Sequence, residues 1–203
     1  MKYTALWLSA ACVLVFILQH IFGTEPFVLE KSLMWSQPWR ILTSIFAHAN
    51  IAHLFSNVFG LCLFGLLLEG RIGAKKVLLI FLAAGIIVNI FTIYPSSLGA
   101  SGAIYAIIGT LAVLRPSMVI WISYVPMPMA IAALFWLAQD VIRTIIPSNI
   151  GSIAHISGLG LGIIAGIYWR FKGYGDKIKF ERKKRDPELE KQLDEWEKEN
   201  MGS

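Results

Sequence analysis

Ser101 sits between glycines in Gly99-Ala100-Ser101-Gly102, and His155 lies inside an apolar run farther along the chain. A serine hydroxyl is a poor nucleophile at neutral pH until a base takes its proton, and an imidazole is well matched to that task. Together the two side chains point to acyl transfer, with Gly99 and Gly102 letting another chain approach the hydroxyl. Each feature also has a purely structural counterpart. Gly-Ala-Ser-Gly is a small-residue patch of the kind that packs membrane helices, and a lone buried imidazole also bonds a backbone carbonyl of a neighbouring helix.

Other residues extend the list. His53 and Asn57 lie four apart, hence on one face of a helix, and can donate side-chain hydrogen bonds to an oxyanion beside the Ser101 amide; Asn57 also fits as glue between helices. Tyr105, four residues after Ser101, shares its face and can pack against the imidazole or against an ordinary helix neighbour. His48 is expected to hold the preceding connection in place, and Glu69 and Arg71 to act structurally. Asp140, with Arg143 three residues on, reads as half of an intramembrane ion pair or as a water-facing group, which leaves a serine and histidine dyad without an acidic third member. Phe135 and Trp136 stand as a possible lateral gate, although aromatic residues are ordinary in such spans.

The elements that must position these groups are membrane helices. Of 203 residues 56% are hydrophobic and 15% charged, a balance that excludes an ordinary water-soluble domain. Hydropathy gives six spans, at Thr4 to Phe22, Ala52 to Leu68, Lys76 to Ile93, Ser101 to Leu114, Pro126 to Ile146 and Ile153 to Phe171. The first lacks a small-residue cleavage site before Thr24 and is read as a retained helix. The expected fold is an all-α membrane protein, a six-transmembrane-helix domain over residues 1–171 followed by a basic then acidic tail over 172–203. Arg71, Lys75, Lys76, Arg115 and the tail cluster flank alternate connections, which puts both termini in the cytoplasm. The net charge of +5 is thereby assigned to anchoring beside anionic lipid and not to nucleic acid. Cys12 and Cys62 fall in separate apolar segments without disulfide or zinc-ligand spacing. The long first connection carries Trp35, Trp39 and Arg40 among apolar residues and is expected in the interface, while Val119 to Val125 reads as a short extended piece.

The fourth span is short. Ser101 to Leu114 rises about 21 Å at about 1.5 Å per residue, against a hydrocarbon core of about 30 Å. With Arg115 pinning one end, the Ser101 end stops inside the membrane, at a helix N-terminus whose amide hydrogens lack partners and whose dipole favours negative charge. Spans two, four and six run in the same direction, so His53, Asn57, Ser101 and His155, each toward the start of its span, are expected at one depth. Gly158, Gly162 and Gly166 face a stripe of Gly102, Ala106, Gly109 and Thr110, which predicts a close crossing of the fourth and sixth spans.

Over roughly Trp35 to Gly166 these residues resemble the rhomboid intramembrane proteases. Trp39-Arg40 looks like that family's signature in the first connection, His48, His53 and Asn57 like its second-span pattern, Gly99-Ala-Ser-Gly102 with Tyr105 like its nucleophile motif, and Ala154-His155 with Gly158 and Gly162 like its last-span motif. The resemblance implies a rhomboid-like bundle with a short central fourth helix and a serine endopeptidase with a Ser101 and His155 dyad. It also implies an oxyanion site from His53, Asn57 and the Ser101 amide, no metal or cofactor, and single-span membrane proteins as substrates cleaved within the bilayer, in a cell membrane. Two other readings stay open: a non-catalytic member of the same fold that binds membrane proteins, and a small transporter whose histidines relay protons.

Overall fold

A computed structural model describes residues 3–122, 124–145 and 151–175. The tail expected at 172–203 therefore lies, beyond residue 175, outside the described residues, as does Ile146 at the end of the fifth predicted span. The chain is built of helices: α1 (Thr4–Phe22), the short α2 (Arg40–Phe46), α3 (Ile51–Gly60) running through a π-helical turn into α4 (Leu66–Ile72), α5 (Ala74–Phe91), α6 (Ser101–Leu114), α7 (Met129–Ile145) and α8 (Ser152–Trp169).

Among the described residues four helices are long and apolar enough to cross a membrane: Thr4–Phe22, Ile51–Ile72, Ala74–Phe91 and Ser152–Tyr174; Ser101–Leu114 is apolar but shorter. Their outward faces carry Leu6, Trp7, Leu14, Phe55, Phe59, Leu79, Ile164 and Tyr168, all exposed. In lipid such faces need no protein cover, and helices satisfy their own backbone groups, so the molecule is a multi-pass integral membrane protein.

Ends that the charge pattern assigned to one side meet there. Glu69 accepts a hydrogen bond from the Ala5 amide at 3.1 Å, and the Arg71 Nε donates to the Tyr174 carbonyl at 2.6 Å, so the start of α1, the end of α4 and the turn after α8 share one face. Between α4 and α5 the reversal is made at Gly73, whose φ of +87° suits a residue without a Cβ.

Two small antiparallel sheets interrupt the all-α expectation. β1 (Leu29–Glu30) pairs with β2 (Ser96–Ser97) in the register Leu29 to Ser97 and Glu30 to Ser96, tying the first connection to the segment that leads into α6. β3 (Val119–Ile122) pairs with β4 (Val125–Pro128) as a hairpin. The extended piece expected at Val119 to Val125 thus continues through Pro128, and α7 starts at Met129 instead of Pro126. The cause is local: a residue before proline is held out of the helical region, which fixes Val125 and Met127 as extended.

α6 is the most enclosed helix, with Gly102 to Ile104, Ala106 to Leu111 and Leu114 buried. Its tightest neighbour is α8. A Cβ placed on Gly158 would lie 2.0 Å from the Gly102 carbonyl oxygen, and one on Gly162 would lie 2.1 Å from that of Ala106. Thr110 Oγ1 adds a hydrogen bond to the Gly162 carbonyl at 3.0 Å.

Candidate active site

Ser101 is the first residue of α6, and the turn before it is firmly held. The Gly99 amide donates to the Ser44 carbonyl at 2.8 Å, and Ala100 is fully buried. Gly99 has φ +113°, and a Cβ there would sit 2.7 Å from Cε1 of His53. Glycine is therefore required twice over, by backbone conformation and by the imidazole against it.

His155 lies on the first turn of α8 and reaches across the crossing: its Nε2 is 2.9 Å from Ser101 Oγ. Tyr105, one turn below Ser101, stacks flat on the imidazole with ring centroids 4.3 Å apart and planes 9° from parallel. On the other edge of the ring Nδ1 is 3.2 and 3.3 Å from the two Asp140 carboxylate oxygens. Asp140 does meet Arg143, at 3.7 Å, yet its side chain is 1% exposed and its shorter contacts are to His155. The ion pair with Arg143 expected from the sequence is present, and the same carboxylate also meets His155, a contact the sequence reading did not include. Sequence spacing gave no hint of it, because Asp140 and His155 lie on different helices and no periodic pattern reports which face of one helix meets another.

A cleft of about 1510 Å³ opens beside the pair, lined among others by His53, Asn57, Ser101, Tyr105, Trp136 and His155. In it the His53 ring packs over Gly99, and the His53 amide is capped by Asn50 Oδ1 at 2.8 Å. Asn57 Nδ2 donates to the His53 carbonyl at 2.8 Å, and its buried Oδ1 finds no partner among the described residues. Gly102 lies under the same crossing, next to Val88 and the Ala154 carbonyl. Trp136 meets Phe64 of the π-helical turn edge to face at 5.5 Å, whereas Phe135 is 44% exposed.

The remaining sequence candidates stand outside the cleft. Arg40 is buried and donates from its guanidinium to the carbonyls of Glu25 and Val28 and to Gln37 Oε1, pinning the first connection, while Trp39 is exposed at the start of α2. His48 is clasped by Gln19 of α1, which accepts from the His48 amide at 2.9 Å and donates to its carbonyl at 3.2 Å. Its Nδ1 is 3.0 Å from the Phe46 carbonyl, and its ring meets that of His53 edge to face at 5.0 Å. Burial, and secondarily the nearby His53, pushes the His48 imidazole down to about 4, so it is neutral at ordinary pH.

Two supporting residues were missed. Gln19 is one. Asn89, buried in α5, donates to the Ile41 carbonyl at 2.8 Å and to Ser44 Oγ at 2.9 Å and accepts from Ser97 Oγ at 3.4 Å, joining α2 to the segment before Ser101. An amide inside an apolar span was the available signal in both cases.

The Rhomboid domain family model matches residues 35–171. RHOMBOID-like protein 6, mitochondrial, of Arabidopsis thaliana is 32% identical over 68% of this chain and 45% of its own length. Rhomboid protease GluP of Bacillus subtilis is 39% identical over 54% of this chain and 24% of its own, and Rhomboid protease GlpG of Haemophilus influenzae 27% identical over 78% and 86%. The chain thus spans less than half the length of the first two relatives and most of the third. With the family model covering well over half of it, this chain belongs to the rhomboid family.

Proposed function

We propose that the protein is an intramembrane serine endopeptidase in which Ser101 is the nucleophile and His155 its base. The observation that carries the reading is the 2.9 Å contact between Ser101 Oγ and His155 Nε2 at the N-terminus of a buried helix. As Oγ adds to a peptide carbonyl carbon, His155 Nε2 takes the hydroxyl proton. The oxygen that becomes negative receives the Ser101 amide, favoured there by the helix dipole, with His53 and Asn57 as side-chain donors from the same cleft. His155 then passes the proton to the departing amide nitrogen, the carbon to nitrogen bond breaks, and water drawn through the same base hydrolyses the acyl-serine.

The reading includes six membrane crossings, with α6 the short fourth one whose Ser101 end stops below the outer surface. Both termini face the cytoplasm of a cell membrane, in keeping with the shared face of the α1, α4 and α8 ends. Substrates are single-span membrane proteins cut within the bilayer, reached through the cleft, and neither metal nor cofactor enters the chemistry.

A fluorophosphonate probe and a model single-span substrate in detergent test the reading. Wild type should label and cleave, while Ser101→Ala should do neither and His155→Ala should lose at least about 100-fold of the rate. Labelling that persists in Ser101→Ala, or none in wild type, rules the protease reading out.

A further inference from the structure

We propose that Asp140 is a positioning residue for His155, making a third member of the catalytic group out of what the sequence offered as two. The inference rests on the reading of Ser101 and His155 as nucleophile and base. An ionised carboxylate inside an apolar bundle is costly unless it is paired, so a side chain 1% exposed in α7 has a partner that matters. Its nearest contact is His155 Nδ1, within 3.3 Å of both oxygens, and the Tyr105 hydroxyl interacts with the same carboxylate.

The geometry divides the work of fixing the imidazole. Stacking on Tyr105 sets the plane of the ring, and a ring so held can still rotate within that plane. The contacts at its two nitrogens remove that freedom: Nδ1–H donates to Asp140, and Nε2, left without a proton, accepts from the Ser101 hydroxyl. Asp140 thereby selects the tautomer that can act as a base. When the ring takes up the serine proton, the carboxylate beside it stabilises the resulting cation in a site of low dielectric.

Among the described residues the groups that face His155 are few. Ser101 and Tyr105 come from α6, Asp140 and Arg143 from α7, and His53 from α3. Among the described residues Arg143 also competes for Asp140, but it is 3.7 Å away and its side chain is 42% exposed, which makes it the weaker tie.

Wild type, Ser101→Ala, Asp140→Asn, Asp140→Glu and Arg143→Gln are compared on a single-span model substrate, with kcat and KM separated and the rate of fluorophosphonate labelling measured in parallel. Asp140→Asn should lower kcat by about 100-fold with KM within about twofold and slow labelling in step. Asp140→Glu should recover at least about a tenth of the lost rate, and Arg143→Gln should stay within about threefold of wild type. Wild-type kcat and labelling in Asp140→Asn, beside a dead Ser101→Ala, overturns the role of Asp140 and leaves the protease reading standing. An Arg143→Gln loss equal to that of Asp140→Asn overturns it as well, since Asp140 would then act by holding Arg143. Should Asp140→Asn fail to fold, nitrogen-15 spectra of histidine-labelled wild type, assigned with His155→Ala, decide: a neutral His155 protonated at Nδ1 is expected, and one protonated at Nε2 overturns the proposal. Labelling in Ser101→Ala equal to wild type overturns the protease reading and this inference with it.

Discussion

Gly99 combines a φ of +113° with the imidazole of His53 lying where a Cβ would be. In Gly99→Ala either the turn before Ser101 changes conformation or His53 leaves its place over the cleft, at a cost of about 1–3 kcal/mol. The expected result is a lower unfolding temperature in detergent and a fall in kcat/KM of about tenfold or more, read on the model substrate. A variant with wild-type kcat/KM would show that neither the turn nor His53 takes part in the reaction. At this scale the sequence was informative where chemistry restricts residue type. A serine between glycines and an imidazole in an apolar run announce themselves, and their 2.9 Å contact follows from helices running in one direction. Asp140 was legible as a buried charge but not as a neighbour of His155, because Arg143 at i+3 offered a nearer explanation on its own helix.

Hydropathy placed the helices well. α6 has the bounds Ser101–Leu114 read from the sequence, and α1 those of the first span. The errors fall where proline and short strands outweigh hydropathy, at Val125–Pro128 before α7 and at the β1 to β2 pairing, which joins residues 68 apart in the register Leu29 to Ser97. No periodic pattern reports a two-residue strand. The stripe of small residues on α6 and α8 was readable, and its energetic content is now specific. A leucine at Gly162 would start with its Cβ 2.1 Å from the Ala106 carbonyl, which is backbone and cannot rotate away. Gly162→Leu must therefore separate α6 from α8 and with them Ser101 from His155, so activity should fall by about 100-fold or more. Gly160 is the control: no atom lies within 4 Å of a Cβ added there, and Gly160→Leu should keep its activity. Equal cleavage rates for the two variants would refute the account of the crossing.

For the whole molecule, the first connection is held to the bundle by the β1 to β2 pairing, by buried Leu29 and Ile45, and by polar contacts. Arg40 fastens its interior, Lys31 Nζ reaches the Thr92 carbonyl at 2.5 Å beyond α5, and Gln19 clasps His48 from α1. His48 links this assembly to pH. Its folded value of about 4 lies below the ordinary 6.5, so the unfolded chain binds the extra proton first. The stabilising contribution of the neutral ring is complete above about 6.5 and is lost progressively as pH falls toward 4. Unfolding temperatures in detergent should decline over that window for wild type and decline less for His48→Gln; parallel curves would remove His48 as the source.

At Gly158 and Gly162 the meeting of α6 and α8 is peptide against peptide, with no side chain in between to give way. Tilting is one of the ways a helix accommodates a change in bilayer thickness. Two rods in contact at Gly158 and Gly162 tilt together, so the spacing between Ser101 Oγ and His155 Nε2 is inherited from main-chain geometry.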